Sequence, residues 1–363
     1  MPVKILSIVG ARPQFIKAGP VLDAIRQAGH QSLLIHTGQH YDVEMSQTFF
    51  DDMGIPAPDD NLGVGSGPHG WQTGQMMVGI ERVLQSLKPD WVLVYGDTNS
   101  TLAGALAAAK LNLPLGHIEA GLRSYNREMP EEHNRILADR CSDLLFCPTR
   151  TAVENLAREG MSEGVRLVGD TMYDAVLKYA QIAQSRSSIL DGLGLQPGSY
   201  LLATVHRAYN ADRPENLRSI LDGLAQTGRT VVFPVHPRTR KRIEALGGLP
   251  KSGEPAGEVR MIDPLGYLDM LMLEQNADII LTDSGGIQKE AYFFRVPCIT
   301  LRPETEWVET VEAGWNILVG TDPARIVQAV AEAKRDDTRP PDLFGDGQAS
   351  AKIVDCLATE ARS

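Results

Sequence analysis

The sequence predicts an α/β protein with two doubly wound parallel sheets, each in its own domain. Short apolar runs of strand length alternate with amphipathic runs of helix length through the first half of the chain. The alternation stops in the polar stretch 184–199 and restarts near residue 200. Alternating strands and helices form parallel sheets that helices cover on both faces. The 363 residues suffice for two domains of ordinary size.

The first domain is predicted to span residues 1–183. Its strands are apolar runs that end at turn-forming residues, and its helices follow those turns. The predicted strands are 5–9, 32–37, 91–95, 113–119 and 144–147. The predicted helices are 15–27, 70–87, 100–110, 131–141 and 151–159.

The second domain is predicted to span residues 199–340 by the same pattern. Its predicted strands are 201–205, 230–235, 259–262, 278–281, 297–301 and 316–319. Its predicted helices are 214–226, 237–246, 267–276, 287–294 and 323–334. We expect residues 341–363 to form a C-terminal helix that packs back on the first domain. Open parallel sheets bind ligands at the carboxyl ends of their strands, so two such sheets predict an interdomain cleft.

The composition excludes several classes of partner. The net charge of −11 argues against a general affinity for nucleic acid or for anionic membranes. No apolar run approaches membrane-spanning length. The four cysteines lack the spacing of metal ligands, and no secretory leader precedes the first strand. We therefore expect reduced thiols, no bound metal and a cytoplasmic location.

Three acidic residues are predicted to lie at one edge of the first sheet. Glu119 ends an apolar strand, Asp97 follows another strand, and Glu131 comes after Pro130 in the first turn of a helix. A carboxylate at the end of a buried strand needs a partner or a chemical role. The alternatives are a helix cap for Asp97 and solvated loop charges that favour the helix dipole for the others.

Cationic groups occur at similar positions in both halves. Arg12 and Lys17 flank the turn between the first strand and the first helix, and His206 and Arg207 follow a strand of the second half. Such groups, together with the free amides of a helix N-terminus, can hold an anion. The alternatives are solvated surface cations and a structural histidine.

The clearest motif of the second half is a strand that runs into Ser284-Gly285-Gly286 and then into a helix. Its uncovered backbone amides can hold a diphosphate, and Glu290 can accept hydrogen bonds from ribose hydroxyls. A plain helix start is the alternative. The glycine-rich segment 63–68 lacks the third Gly and the preceding strand of a dinucleotide loop. Without a Walker loop or zinc spacing either, the sequence predicts no nicotinamide cofactor and no metal.

Ordered motifs in both halves make the chain resemble the non-hydrolysing UDP-N-acetylglucosamine 2-epimerases, which have the GT-B fold shared with many glycosyltransferases. The resemblance extends from Gly10 to Asn316, nearly the whole chain. The motifs are Gly10-Ala11-Arg12-Pro13, Thr37-Gly38-Gln39-His40, Gly96-Asp97-Thr98, His117-Ile118-Glu119-Ala120-Gly121, Pro130-Glu131-Glu132, His206-Arg207 and Thr282-Asp283-Ser284-Gly285-Gly286. Plain glycosyltransferases share the Ser-Gly-Gly half but not the pair Glu119 and Glu131.

The resemblance implies epimerisation without a cofactor: UDP is eliminated across C1–C2 of the sugar, and it re-adds to the 2-acetamidoglucal with protonation on the opposite face of C2. The catalytic groups implied are Asp97, Glu119, Glu131 and His206, of which His206 also holds the diphosphate. The substrate-binding groups implied are Arg12, Lys17, Arg135, Arg207, Met270, Ser284, Gly285, Gly286 and Glu290. The resemblance also implies a UDP-sugar ligand, a homodimer with helix 70–87 as a candidate interface, and an allosteric UDP-sugar site at Gln39 and His40.

Two residues depart from the pattern of many members that act on UDP-N-acetylglucosamine. Gln14 stands where those members have Glu, and His133 stands where they tend to have Ala. The versions with Gln and His resemble relatives that epimerise UDP-2,3-diacetamido-2,3-dideoxyglucuronic acid. A GT-B glycosyltransferase and a sugar-nucleotide-binding regulator are further alternatives, and a regulator would not need the three carboxylates.

Overall fold

The computed structural model describes residues 2–39, 50–51, 53–250, 257–335 and 342–361. By its internal contacts the chain divides into two units. Unit 1 contains Met1–Lys178 and Asp342–Ser363, and unit 2 contains Tyr179–Pro341. Each unit holds one sheet, and all the strand pairs in both sheets are parallel.

Unit 1 contains a seven-stranded sheet in the order β3-β2-β1-β4-β5-β6-β7. The strands are β1 (Lys4–Val9), β2 (Gln31–His36), β3 (Asp60–Asn61), β4 (Trp91–Tyr95), β5 (Leu115–Ile118), β6 (Leu144–Cys147) and β7 (Val165–Leu167). The strand order reverses between β1 and β4, so the turns that follow these two strands diverge there. Such a switch point is the usual ligand position in an open parallel sheet.

Helices follow the strands of unit 1 in sequence, among them α1 (Arg12–Gln27), α2 (His69–Leu87), α3 (Asn99–Lys110), α4 (Pro130–Cys141), α5 (Arg150–Arg158) and α6 (Thr171–Arg186). The boundary between the two units falls inside α6. Helix α3 packs closely on the sheet, because a methyl group at Gly104 would lie 2.9 Å from the Val94 side chain. The alanine-rich sequence of α3 suits this close approach.

Unit 2 contains a six-stranded sheet in the order β10-β9-β8-β11-β12-β13. The strands are β8 (Leu201–Thr204), β9 (Val231–Pro234), β10 (Val259–Ile262), β11 (Ile279–Thr282), β12 (Cys298–Thr300) and β13 (Asn316–Leu318). The helices are α7 (Ile189–Leu193), α8 (Ala208–Ala211), α9 (Pro214–Gln226), α10 (Pro237–Ala245), α11 (Tyr267–Asn276), α12 (Gly285–Phe293), α13 (Val308–Glu312) and α14 (Pro323–Glu332). The switch point here lies between β8 and β11.

The last helix, α15 (Ala349–Glu360), belongs to unit 1, where it packs against α1. Asp174 of α6 accepts hydrogen bonds from the backbone amides of Ala349 at 3.1 Å and Ser350 at 2.7 Å. Burial raises the pKa of Asp174, and this effect outweighs the opposing effect of the two amides. The carboxyl group supplies acceptors to the otherwise unpaired amides at the start of α15.

The structure departs from the predicted elements in a few places. Helix α1 begins at Arg12 and not at residue 15, because Pro13 is compatible with a first helical turn and Gln14 caps it. Helices α6, α7, α8 and α13 were not predicted, nor were the short strands β3 and β7. Within the described ranges no helix combines the length and apolar character needed to cross a bilayer.

Candidate active site

The turn after β4 lies against a buried ion pair at the switch point of unit 1. Gly96 has a left-handed φ of 61°, and its amide donates to the Ile118 carbonyl at 2.9 Å. A methyl group at Gly96 would lie 3.1 Å from Glu119 Oε2 and 3.5 Å from Lys17 Nζ. Glycine therefore both supplies the required backbone conformation and lets the turn approach the charged pair closely.

Glu119 pairs with Lys17 in this position, so the structure joins two of the predicted site residues. Both side chains are buried, and a buried carboxylate needs such a partner. Glu119 also has a φ of 71°, which is unusual for a residue with a Cβ. Backbone strain of this kind concentrates at functional sites, which supports a functional role for Glu119.

Asp97 follows Gly96 directly and forms an ion pair with Arg135 of α4. The Asp97 carboxylate is about one-third exposed at 33%, whereas the Arg135 side chain is buried. Burial lowers the pKa of Arg135, but the charges of Asp97 and Glu132 outweigh it, so that the net pKa is raised. Asn134 Nδ2 donates to the Asp97 carbonyl at 2.9 Å. Helix α4 thus holds Asp97 through both its side chain and its backbone.

The two adjacent acids in the first turn of α4 differ in their surroundings. Glu132 is buried and accepts hydrogen bonds from Ser124 N at 2.9 Å, Ser124 Oγ at 2.8 Å and Tyr125 N at 2.9 Å. Burial raises the pKa of Glu132, but these bonds and the Arg135 charge together lower it below its usual value. Glu131 is half-buried, and its carboxylate has no hydrogen-bond or ion-pair partner in the described part of the chain. Glu132 therefore anchors the loop, and Glu131 stays available.

A second layer of buried polar groups lies behind these turns. His117 of β5 contacts Asp139 Oδ1 through Nδ1 and the Gly96 carbonyl through Nε2, both at 2.7 Å. Arg123 Nη1 lies 2.7 Å from Asp139 Oδ2. The motif that includes His117 was identified from the sequence, but these contacts were not predicted. They join residues 21 and 22 positions apart, and no local pattern signals them.

Gln14 and His133, which differ from many family members, make structural hydrogen bonds. Gln14 is buried, and its Oε1 accepts from Gly10 N at 2.8 Å and Ala11 N at 3.1 Å. Its Nε2 donates to the Tyr95 carbonyl at 2.8 Å. Gln14 thereby joins the turns after β1 and β4. His133 is exposed, and its Nε2 lies 2.9 Å from the Arg127 carbonyl.

Other site residues predicted for unit 1 are placed as follows. Arg12 is exposed at the first position of α1. Gln39 Oε1 accepts hydrogen bonds from Ser100 N at 3.0 Å and from Ser100 Oγ at 2.7 Å, so Gln39 covers the start of α3. His40 lies outside the described residues.

In unit 2, Asp283 organises the turn after β8. It is fully buried and accepts from the backbone amides of His206 and Arg207, each at 3.1 Å. His206 Nδ1 lies 3.1 Å from Asp283 Oδ1, and the His206 side chain is 53% exposed. Burial raises the pKa of Asp283, but the hydrogen bonds and the charge of His206 together with Asn210 outweigh it and lower the pKa. This arrangement fixes the imidazole and leaves Nε2 for a ligand.

The N-terminus of α12 contains the Ser-Gly-Gly motif. Ser284 caps the helix by accepting a hydrogen bond from Ile287 N at 3.4 Å. A methyl group at Gly285 would lie 2.1 Å from Glu306 Oε1, so glycine lets that carboxylate lie close to the start of the helix. Glu306 Oε2 lies 3.0 Å from Arg302 Nη1, and Arg207 Nη2 lies 3.9 Å from Glu306 Oε1. Arg302 and Glu306 were not predicted as site residues, although charged residues after a strand, here β12, are the same signal that identified the other candidates.

Glu290 of α12 is buried and accepts a hydrogen bond from the Tyr267 hydroxyl at 2.8 Å. Met270, on the same helix as Tyr267, is half-buried against the apolar core of unit 2. Glu274, one turn further along α11, is fully buried, and neither of its carboxyl oxygens has a hydrogen-bond partner among the described residues. Burial first, and then the charge of Glu290, raise the pKa of Glu274 well above its usual value.

Two doubly wound parallel-sheet units with polar groups at the carboxyl ends of their strands define an α/β protein with a GT-B-like fold. The chain matches the family described as UDP-N-acetylglucosamine 2-epimerase over residues 23–358. It is 51% identical over 356 residues to the UDP-N-acetylglucosamine 2-epimerase homolog of Methanococcus maripaludis, covering 98% of this chain and 99% of that protein. It is 50% identical over 367 residues to the UDP-2,3-diacetamido-2,3-dideoxy-D-glucuronate 2-epimerase of Pseudomonas aeruginosa, with the same coverages of 98% and 99%.

A solved structure shows the same similarity. The Methanocaldococcus jannaschii UDP-GlcNAc 2-epimerase, in complex with UDP-GlcNAc and UDP, is 43% identical, with a TM-score of 0.85 and 98% coverage of both chains. The chain therefore belongs to the UDP-N-acetylglucosamine 2-epimerase family and is an isomerase. The family and the fold class predicted from the sequence are both confirmed.

Proposed function

We propose that this protein interconverts UDP-N-acetylglucosamine and UDP-N-acetylmannosamine by eliminating and re-adding UDP. The observation that carries the mechanism is the placement of two carboxylates, Asp97 and Glu119, just after the paired strands β4 and β5 of unit 1. Glu119 follows β5 and pairs with Lys17, and Asp97 follows the neighbouring strand β4 and pairs with Arg135. Glu131 has no partner among the described residues. The family membership supports the reaction, and this placement supports its chemistry.

The reaction needs no oxidation or reduction. A carboxylate removes the proton from C2, and the electrons of the C2–H bond form the C1–C2 double bond. The bond from C1 to the diphosphate oxygen breaks, and UDP leaves with that electron pair. In the second half, UDP re-adds to C1 and a carboxylic acid protonates C2 from the opposite face. Because both faces of C2 are used, more than one acid–base group is required.

Glu131 is the best-suited base of the three carboxylates, since no cation or amide of the described residues competes for its lone pairs. Asp97 is held in place by Arg135, and we assign it the second acid–base role. Glu119 and Lys17 form the buried ion pair beside Gly96. We assign to Lys17 and Arg12 the role of stabilising the negative charge that develops on the leaving diphosphate in the transition state.

The nucleotide contacts are assigned to unit 2. The start of α12 offers the backbone amides of Gly285 and Gly286 to phosphate, and space is open at Gly286. His206, fixed by Asp283, presents Nε2 to the same group. Glu290, which accepts a hydrogen bond from the Tyr267 hydroxyl, is assigned to the ribose hydroxyls, because one carboxylate can accept several hydrogen bonds. Met270 is assigned to the uracil, and Arg207 completes the binding set of unit 2. Arg135, which pairs with Asp97 in unit 1, is assigned to substrate binding beside that carboxylate.

UDP-2,3-diacetamido-2,3-dideoxyglucuronic acid is the second candidate substrate. It is favoured by the 50% identity to the Pseudomonas aeruginosa enzyme of that name. The positions of Gln14 and His133 do not by themselves decide between the two sugars, because both side chains make hydrogen bonds within the protein. Assaying the purified protein with each nucleotide in turn tests this choice directly.

The test of the reaction is incubation with UDP-N-acetylglucosamine in deuterated water, followed by NMR. We expect deuterium at C2 of both epimers without added cofactor. Turnover that retained the original C2 hydrogen would reject the elimination mechanism. A chain active only on the diacetamido uronic acid nucleotide would replace the substrate but keep the mechanism.

The base assignment is tested by Glu131→Gln. We expect kcat to fall by about 10²–10⁴-fold, the usual contribution of a positioned general acid or base, with UDP binding retained. Glu128→Gln is the matched control, because Glu128 is exposed in the preceding loop and has no side-chain partner among the described residues. Equal activities of the two variants would remove Glu131 from the mechanism.

We also propose a homodimer and a cytoplasmic location. The dimer proposal is supported by the family resemblance and by Trp71 and Val78 of α2, which are 50% and 43% exposed. The location is supported by the four free cysteines. Sedimentation analysis of the chain and of Trp71→Asp tests the dimer, and a monomeric wild-type protein would contradict it.

A further inference from the structure

We propose that His117 positions Asp97 for catalysis by holding the Gly96 carbonyl, an inference that rests on the proposed epimerase function. His117 is fully buried in β5, two residues before Glu119. Its Nε2 lies 2.7 Å from the Gly96 carbonyl oxygen. A carbonyl can only accept, so Nε2 must carry a hydrogen and donate it.

The contact with Gly96 matters because a peptide group is planar. The Gly96 carbonyl and the Asp97 amide belong to one rigid unit, so fixing the carbonyl also fixes the start of Asp97. Asn134 holds the other end of the residue by donating to the Asp97 carbonyl at 2.9 Å, and Arg135 holds the side chain. His117 is thus the third restraint on Asp97, acting on the peptide that the other two do not reach.

The restraint has no substitute nearby. Among the described residues, His117 is the sole hydrogen-bond donor to the Gly96 carbonyl. Gly96 itself has the left-handed φ of 61°, and glycine is the residue with the greatest backbone freedom. Loss of the His117 contact therefore releases a flexible peptide next to both Asp97 and the Glu119–Lys17 pair.

The other ring nitrogen has a different role. His117 Nδ1 lies 2.7 Å from Asp139 Oδ1. Asp139 does not depend on His117 alone, because Arg123 Nη1 lies 2.7 Å from its Oδ2 and Gly121 N donates to the same oxygen at 3.2 Å. Asp139 orients the imidazole of His117, whereas the hydrogen bond to the Gly96 carbonyl positions Asp97.

This asymmetry yields a matched pair of variants. In His117→Gln the side-chain amide nitrogen takes the place of Nε2, so the donor to Gly96 is kept and the Asp139 contact is lost. In His117→Asn the amide nitrogen takes the place of Nδ1, so the Asp139 contact is kept and the donor to Gly96 is lost. Each variant loses one buried hydrogen bond, and the bond lost in His117→Gln is the one to a charged group, which usually contributes more to stability.

The assay is epimerisation of UDP-N-acetylglucosamine, with UDP binding by calorimetry as the check that each variant is folded. We expect His117→Asn to lower kcat by about 10–100-fold with little change in KM, the scale of a small misplacement of a reacting group. His117→Gln should recover kcat at least tenfold relative to the Asn variant. A merely structural histidine would give equal losses in both variants, and that result would overturn the proposal.

A measurement on the unaltered protein keeps the inference testable if the variants fold poorly. Ring nitrogen NMR shifts of 15N-labelled histidine should show a hydrogen on Nε2 of His117. A neutral ring with hydrogen on Nδ1 alone would also overturn the proposal. An inactive wild-type protein would reject the proposed function, whereas an active protein with equal Asn and Gln variants would reject only the role of His117.

Discussion

Replacing Glu274 by methionine should stabilise the protein, although the substitution removes an ionisable carboxyl group. Glu274 is fully buried in α11, and neither carboxyl oxygen has a hydrogen-bond partner within the described ranges. An unpartnered buried polar group costs about 1–3 kcal/mol in mutational data. Methionine has a similarly long, unbranched side chain that adapts to irregular apolar space, so the change should leave no large cavity.

The expected gain is about 2 kcal/mol in the free energy of unfolding, within the range given by that cost. For a unit of the size of Tyr179–Pro341, each kcal/mol moves Tm by about 2–4 °C, so a rise of about 4–8 °C is expected. Urea denaturation and calorimetry of the full-length chain measure the two quantities. Glu274→Gln is the matched control, since it keeps a buried polar group but cannot ionise.

The pH dependence separates ionisation from polarity. The pKa of Glu274 is raised in the folded protein by burial and by Glu290, above the usual value of 4.5 that applies in the unfolded chain. The folded state therefore retains a proton that the unfolded state loses, and stability falls as pH rises above that value. The advantage of both variants over wild type should grow from pH 5 to pH 8. A methionine variant no more stable than wild type at pH 8, or a gain that shrinks with rising pH, would refute the reasoning.

Two further predictions concern unit 1. Gly121→Ala should destabilise the protein by about 1–3 kcal/mol more than Gly29→Ala, because the new methyl group at Gly121 would lie 2.4 Å from the Ala152 carbonyl, whereas nothing lies within 4 Å at Gly29. Both glycines have positive φ, so urea denaturation of the pair isolates the clash, and equal losses would contradict it. Glu132→Gln should cost about 1–3 kcal/mol at pH 6, because it removes a charged acceptor from Ser124 and Tyr125. Since the pKa of Glu132 is lowered in the fold, the difference from wild type should shrink as pH falls below 4.5, and a difference that grows in acid would reject the assignment.

The sequence by itself determined most of the strands and helices in their order along the chain, and the positions of the candidate site residues on them. Apolar runs marked β1, β4, β5, β8 and β11, and the turn residues after them marked the ligand edges of both sheets. These signals are local, since a strand is specified by its own alternation or apolar run and a helix start by its own capping residues. Asp97, Glu119, Glu131 and Ser284 were therefore selected as candidates without any knowledge of the tertiary structure.

The tertiary structure decided which of these residues meet and which remain available. Glu131 and Glu132 are adjacent and chemically alike, yet packing gives Glu132 three donors from the preceding loop and leaves Glu131 without a partner among the described residues. Three other features likewise had no local signal: the left-handed backbone of Glu119, the contact of His117 with Gly96, and the position of Glu306 beside Gly285. Each depends on groups distant in sequence that approach only when whole strands and helices pack. The physical reason is that a local pattern specifies which face of an element is buried, whereas the partner of a buried polar group is set by the complete arrangement around it.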